Sequence, residues 1–204
     1  MTGEPKDNLR DVVTQTICHV TSPEGWKGIL EAGAILPNED REFSYPQSAK
    51  SYAVRKRAVA LFDFEQATPQ QLQDHWFKCQ TFFRRYSPAT YVLVIERSRL
   101  PGPLITYEEA TAEFGHGFGK IPYLEVWSAQ PVPRDAITKV IVVCAHRFET
   151  LDSSDSRLLD AESLMTALCP ESRQQRLSDD LTKLSKAELL SRLDNLKARR
   201  KPDR

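Results

Sequence analysis

The chain has 204 residues, of which 40% are hydrophobic, and its 28 basic and 28 acidic residues give a net charge of zero. This composition excludes collagen-like and low-complexity chains and argues against general disorder, because the apolar residues suffice to fill a core. No stretch approaches the roughly 20 consecutive apolar residues of a membrane span, and the first residues are too polar for a signal peptide. We therefore expect one cytoplasmic globular domain with appended ends.

The charge and the cysteines are unevenly spread along the chain. Residues 171–204 carry ten Lys/Arg and six Asp/Glu, a balance of +4, which leaves −4 for the rest. A basic tail is a weak indication of nucleic-acid binding, and a solvated helix face explains it more simply. The four cysteines, at positions 18, 79, 144 and 169, form no closely spaced framework, so we expect reduced thiols.

The first predicted elements are a strand and a helix. Residues 17–20 are typical of a short strand. Ser22 fits the N-cap of the following helix, and Pro23 fits its first position, where a missing N–H costs nothing. Gly33 stands where a left-handed C-terminal cap is favoured.

The middle of the chain is rich in predicted strands. A helix begins at Thr68-Pro69, residues 104–112 fit either a strand or a short helix, and residues 114–120 form a glycine-rich loop. Because regular helices do not separate the strands, we predict an α+β domain with a mixed or antiparallel sheet. The predicted strands are residues 59–64, 91–95, 123–127 and 137–143.

The character of the sequence changes after Phe148. The following residues are polar and acidic and are typical of a linker. Ser185 and Glu188 form a capping-box pattern, and leucines then follow at helical spacing. We predict a domain over residues 1–148 and a linker with an amphipathic helical tail over 149–204, whose residues 185–200 are a candidate surface for a partner helix.

His19 and Thr21 are the first candidate site residues. They end the first predicted strand and share one face of it, because side chains alternate along a strand. Such a pair can hydrogen-bond a ribose or a similar polyol. A histidine packed at a strand end and bonded to a backbone carbonyl is the simpler structural alternative.

Glu125 is the second candidate, inside an apolar predicted strand with Tyr123 and Trp127 on the same face. A carboxylate there is costly to bury unless it is paired or functional. A glutamate lining a cleft and a solvent-facing glutamate on an edge strand are both consistent with the pattern.

A basic run that includes Arg55 and Arg57 precedes the predicted strand at residue 59. Arginines bind pyrophosphate well, and an ordinary solvated loop explains the run equally well. Tyr52 could stack on a flat ring or close the core. The spacing of cysteines and histidines predicts no metal site.

Three segments together resemble the ADP-ribosyltransferase superfamily: ICHVTSPEGWKGILEAGAILPN, SYAVRKRAVALFDF and PYLEVWSAQPVPRDAITKVIVV. Their order is most similar to the DNA-targeting, DarT-type toxin branch, in which arginines usually lie farther from the second strand than here. The resemblance implies an ADP-ribosyltransferase-like fold and the transfer of ADP-ribose from NAD, with loss of nicotinamide, to single-stranded DNA, RNA or protein.

The resemblance also implies roles for individual residues. Glu125 would be the catalytic glutamate, and His19 and Thr21 would hold ribose hydroxyls of NAD. Arg55 or Arg57 would contact the phosphates, and Tyr52 would lie beside nicotinamide. The glycine-rich loop before Glu125 would face the acceptor.

Other functions fit the same sequence. An RNA 2′-phosphotransferase-like enzyme would share the fold, and it would need additional cations for the RNA phosphate. A non-catalytic module would hold a nucleotide in the same cleft, or leave the cleft unused, and would recruit a partner through the basic C-terminal helix.

Overall fold

The computed structural model describes residues 9–37, 51–83, 89–115, 121–144 and 147–168. The strands are β1 Ile17–Thr21, β2 Ala34–Ile35, β3 Val59–Asp63, β4 Thr90–Ile95, β5 Leu104–Ile105, β6 Glu125–Ser128, β7 Val132–Pro133, β8 Ile137–Cys144 and β9 Arg147–Asp152. The helices are α1 Leu9–Val13, α2 Pro23–Ala32, α3 Tyr52–Lys56, α4 Pro69–Phe83, α5 Tyr107–Phe114 and α6 Ala161–Leu168.

Seven of these strands form one sheet in the order β5-β6-β3-β1-β4-β8-β9. Each pair of neighbours in it is antiparallel. The short strands β2 and β7 pair separately. The predicted α+β class with a mostly antiparallel sheet is therefore confirmed.

The capping signals around α2 work as the sequence predicts. Ser22 is the N-cap, and its Oγ accepts a hydrogen bond of 3.0 Å from the amide of Gly25. Gly33 ends the helix in the left-handed region with φ of 71°. The exit direction of α2 is thus fixed at a position that tolerates a positive φ without a steric cost.

The helices divide between the two faces of the sheet. On the α2 face, Trp26 and Ile29 of α2 and Leu164 and Met165 of α6 belong to one cluster with the odd-numbered residues of β1, such as Ile17. On the opposite face, which we call the α4 face, side chains of α1, α3, α4 and α5 are buried with even-numbered residues of β1 and β3 or with Trp127 of β6. Strand alternation assigns each strand residue to one of these faces.

The sheet continues beyond the boundary that the sequence suggests. β9 pairs with β8 along its whole length, and Leu151, Leu158 and Leu164 are buried in the cluster of the α2 face. Residues 149–168, which the sequence predicts as a linker, are thus packed against the domain. Their apolar residues are sparse because β9 lies at an edge, where its other side chains reach solvent. The predicted tail helix over 185–200 lies outside the described residues.

Other local predictions need correction. Residues 104–112 contain both a strand and a helix, which the sequence predicts as alternatives. β5 ends at Ile105, and α5 follows after Thr106, which caps it in a capping box with Glu109. The basic run is helical, since Ser51 caps α3. The prediction that Tyr123 belongs to a strand is wrong. Tyr123 has a φ of 65°, and β6 begins two residues later, at Glu125.

The cysteines also depart in part from expectation. Cys18 and Cys79 are free and buried. Cys144, at the end of β8, is disulfide-bonded, so the prediction of reduced thiols is wrong at this position. Cysteine pairing depends on which residues the fold brings together, and sequence spacing alone does not reveal it.

Asp63 ties the end of β3 to the turn after β4. One carboxylate oxygen accepts hydrogen bonds from the amides of Glu65 and Gln66, at 3.1 and 3.2 Å, and the other accepts one from Arg97. Arg97 also pairs with Glu65. The carboxylate of Asp63 is nearly buried, so removing it would leave several donors without their acceptor.

We expect Asp63→Ala to lower the free energy of unfolding by about 2 to 3 kcal/mol, because the two amides and the guanidinium lose a charged acceptor. Asp63→Asn keeps one acceptor oxygen and should cost less. Chemical denaturation measures both, with Glu65→Gln as the matched control that spares the turn. Equal stability of Asp63→Ala and the wild type would contradict this role.

Candidate functional site

The α4 face carries two separate apolar clusters with a gap between them. The first, under α4, includes Cys18, Phe62 and Phe83. The second consists of Tyr52, Ala58, Ala110 and Trp127. Val20 and Ala60 lie in central strands between the two clusters, yet both are only half-buried. We call this strip, over Val20, Ala60 and the start of β6, the seam.

The seam begins where the pairing of β1 with β3 ends. β1 pairs with β4 over five residues, but with β3 only at Ile17 and Cys18. The next residue, His19, places its Nδ1 atom 2.9 Å from the carbonyl oxygen of Ala60 in β3. The histidine side chain thus bridges the two strands at the point where the backbone ladder stops.

This contact fixes the proton arrangement of His19. A carbonyl oxygen only accepts, so Nδ1 must donate, and Nε2 is left as the acceptor of the neutral ring. Burial lowers the pKa of His19, and the bond to Ala60 opposes this shift only in part. The ring is therefore neutral at pH 7 and presents an acceptor suited to a hydroxyl group.

Glu125 lies at the other side of β3. It is the first residue of β6, only 8% exposed, and directly opposite Phe62 of β3. Its Oε2 atom accepts a hydrogen bond of 3.4 Å from the amide of Ile121. Cys18, Phe62 and Glu125 are neighbours in register across β1, β3 and β6, so the backbones of Cys18 and Glu125 lie roughly 10 Å apart, two strand spacings.

Tyr52 forms the wall of the seam on the side of α3. Its ring centroid is 4.7 Å from that of Trp127 and 5.4 Å from that of Phe114. Its hydroxyl donates to Glu113 at 3.3 Å. Burial and the nearby Glu113 carboxylate both raise the pKa of Tyr52. The residue is almost fully buried beside Trp127, which shares the face of Glu125.

The cations of α3 lie on the outer side of this wall. The guanidinium carbon of Arg55 is 5.6 Å from the ring centroid of Phe114, and Lys56 pairs with Glu113. Arg57 ends α3 with φ of 52° and is exposed. The structure does not distinguish between the two arginines, and their contact with phosphates stays a prediction.

Thr21 is separated from the rest of the predicted site. It faces α2 on the opposite side of the sheet from Glu125 and is 8% exposed. A Cβ atom added to Gly25 would lie 2.1 Å from its Oγ1 atom, so α2 approaches β1 closely here. The structure thus brings Tyr52 and Glu125 to the α4 face, whereas strand alternation places the side chains of His19 and Thr21 on the α2 face. The ribose contacts of His19 and Thr21 stay predictions.

Sequence reasoning missed a cluster of rings beside Glu125. The Tyr123 centroid lies 6.2 Å from that of His75 on α4 and 5.5 Å from that of Tyr107 on α5. Tyr123 is 48% exposed. These residues are far apart in the sequence and meet only through the fold, so no local pattern could have linked them. We call them the aromatic cluster.

Comparisons add no assignment to this geometry. No protein-family model matches the chain, and its sequence matches no curated protein. Across the described residues, no three or more His, Cys, Asp or Glu side chains are grouped as they would be around a metal ion. In the same part of the chain, every helix is too short or too polar to cross a membrane.

The packing of Gly25 on Thr21 gives a double-mutant test. Gly25→Ala should destabilise the protein by about 1 to 2 kcal/mol, because the new methyl group meets Oγ1 of Thr21. With Thr21→Ala in place, the same change should be neutral or stabilise by up to about 1 kcal/mol, the usual helix preference for alanine. Thermal or urea unfolding of the four proteins measures the coupling. Additive effects would show that Thr21 does not contact α2.

His19 should make stability depend on pH. Its native pKa lies below the usual 6.5, so the unfolded chain binds more protons as pH falls through 6.5. The free energy of unfolding should therefore decrease as the pH falls from 6.5 to the native pKa of His19. Below that pKa, His19 should add nothing further to the pH dependence.

His19→Gln should remove this part of the slope, which urea unfolding at several pH values measures. Imidazole chemical shifts give the native pKa of His19 directly. A value at or above 6.5, or equal slopes in both proteins, would contradict the burial argument.

Proposed function

We propose that this chain is an NAD-dependent ADP-ribosyltransferase with an ADP-ribosyltransferase-like fold. It would bind NAD across the place where β1 and β3 separate and transfer ADP-ribose to an acceptor with release of nicotinamide. The observation that carries the proposal is the end of the β1–β3 ladder after Cys18, beside His19 on the α2 face and one strand away from Glu125 on the α4 face. This placement agrees with the resemblance of the three sequence segments.

The burial of Glu125 supports a role in breaking the nicotinamide–ribose bond. Positive charge develops on C1′ of the ribose as this bond breaks, and a carboxylate stabilises it electrostatically. In a site with little water such an interaction is stronger than in solution. Glu125 is 8% exposed and held by the amide of Ile121, so little reorganisation is needed during the reaction.

His19 supports the binding of the ribose. Its neutral ring presents Nε2 as an acceptor, and a ribose hydroxyl is a matching donor. The bond from Nδ1 to Ala60 fixes the ring orientation. Protonation of His19 would replace this acceptor by a donor, so the proposal requires the lowered pKa that burial produces.

The remaining predicted residues have different roles in the proposal. Tyr52 would lie beside nicotinamide, as the resemblance implies, and Arg55 or Arg57 would supply charge for the phosphates. Thr21 contributes mainly by setting α2 against β1, since it is packed against Gly25. NAD serves as co-substrate in this scheme.

Glu125→Gln should reduce nicotinamide release from NAD by about 100- to 1000-fold, the usual loss when one electrostatic stabiliser of a transition state is removed. The amide has nearly the same shape, so unfolding and NAD binding should change little. Chromatographic assay of nicotinamide measures the rate. Glu162→Gln on α6 is the matched control and should keep full activity.

NAD binding is followed separately as a rise of the unfolding midpoint with NAD concentration. This shift should persist in Glu125→Gln and shrink in His19→Gln. Full nicotinamide release by folded Glu125→Gln would overturn the catalytic role. Binding of NAD by the wild type without any release would instead favour a binding module.

A further inference from the structure

The turn that leads into β6 holds Glu125 by two reciprocal hydrogen bonds. The amide of Glu125 donates to the carbonyl oxygen of Ile121 at 3.1 Å, and Oε2 of Glu125 accepts from the amide of Ile121 at 3.4 Å. The backbone and the side chain of one glutamate are thus bound to the same residue. A change in the conformation of this turn would therefore move the carboxylate.

Both ends of the turn are anchored in the core. Ile121 and Leu124 are fully buried in the cluster under α4. The carbonyl oxygen of Leu124 accepts a hydrogen bond of 2.8 Å from the amide of Asp63, the last residue of β3. Because the ends are fixed, the residues between them decide the conformation of the turn.

Tyr123, in the middle of the turn, has a backbone conformation that glycine usually supplies. Its φ is 65°, and it follows Pro122. A proline followed by a residue of positive φ is the pattern of a type II turn, in which glycine or asparagine is usual. A bulky residue in the left-handed region costs stability and persists only where its surroundings hold it, which is most often near a functional site.

Two rings from separate helices support Tyr123. Its ring centroid lies 5.5 Å from that of Tyr107 on α5 and 6.2 Å from that of His75 on α4, with tilted ring planes. Aromatic rings attract one another at these distances. The side chain thus connects the turn to both helices, although Tyr123 is 48% exposed. This support explains how the unfavourable φ is maintained.

We propose that Tyr123 is a positioning residue, which holds the turn that fixes the carboxylate of Glu125 for cleavage of the nicotinamide–ribose bond. This inference rests on the proposed function. A carboxylate stabilises a developing charge best when it needs no reorientation during the reaction. A glycine at position 123 would adopt the same φ without strain, but it would also let the turn adopt other conformations. The supported tyrosine restricts the turn at some cost in stability.

The hydrogen bond between Ile121 and Glu125 is tested first without NAD, so the result is independent of catalysis. In the wild type, the chemical shift of the Ile121 amide should change in one step as the Glu125 carboxyl is protonated, because the acceptor loses its charge. The step should be absent in Glu125→Gln, smaller in Tyr123→Gly and unchanged in Tyr123→Phe, which keeps the ring.

Hydrogen exchange of the Glu125 amide gives a second measure of the turn. In Tyr123→Gly this amide should exchange about tenfold faster, the effect of losing the contacts of one aromatic ring. The comparison is made relative to the amides of β8, which report on global unfolding. A change confined to the turn then shows that Tyr123 acts locally on Glu125.

Nicotinamide release measures the consequence for the proposed reaction. Tyr123→Gly and Tyr123→Ala should lower kcat about 10- to 100-fold and change KM for NAD less than about twofold, because a misplaced Glu125 affects the transition state. Tyr123→Phe should keep the wild-type kcat. Phe77→Ala, which removes an exposed ring of α4, is the matched control and should also keep it.

Stability separates positioning from a general loss of structure. Tyr123→Gly should unfold at a higher temperature than Tyr123→Ala, because glycine adopts a positive φ without strain. Tyr123→Gly should nevertheless be slow, and Tyr123→Phe should rescue the rate. If Tyr123→Ala does not fold, Tyr123→Gly and Tyr123→Phe still give the comparison.

An unchanged Ile121 step and unchanged exchange in Tyr123→Gly would overturn the inference, as would a wild-type kcat in that variant. A slow Tyr123→Phe would overturn it in favour of a direct role of the Tyr123 hydroxyl. Expected amide results without nicotinamide release by the wild type would show that the proposed function has failed, while Tyr123 still holds the turn.

Discussion

The early end of the β1–β3 ladder is the constraint on which the candidate site depends. Only Ile17 and Cys18 pair with β3, whereas β4 holds β1 along its whole length and β6 holds β3. The sheet therefore stays continuous while two central strands separate inside it. His19 replaces the missing backbone bonds by one side-chain bond to Ala60. Two central strands thus separate in the middle of the sheet, and Val20 and Ala60 stay half-buried beside the separation.

The helices share the α4 face between two separate apolar clusters. α4 covers Cys18 and Phe62, and α3 with α5 covers Trp127. Glu125 itself stays buried, and its carboxylate accepts a hydrogen bond from the amide of Ile121, which offsets part of the cost of burying a charge. The wall of the seam is stiff, because Tyr52 contacts both Trp127 and Phe114.

Much of the fold follows from local signals in the sequence. Ser22 and Gly33 predict the two ends of α2, and apolar runs predict the central strands. Both kinds of signal act over only a few residues. β9 and Tyr123 could not be found this way: an edge strand has few buried side chains, and a left-handed tyrosine depends on support from distant helices. The candidate residues His19 and Glu125 were recognisable as polar residues in strands, but their arrangement about β3 and the burial of Thr21 depend on strand register.

The packing of β9 and α6 has a consequence for how the protein can be handled. A shortened chain ending near residue 148 would lose most of the strand that covers β8, which is apolar and buried from Val140 to Cys144. Leu158, Leu164 and Met165 would leave the core with it. Such a fragment would present a long hydrophobic strand edge, the kind of surface through which chains add to one another in aggregates. Residues 149–168 thus cover the edge of β8 within the domain.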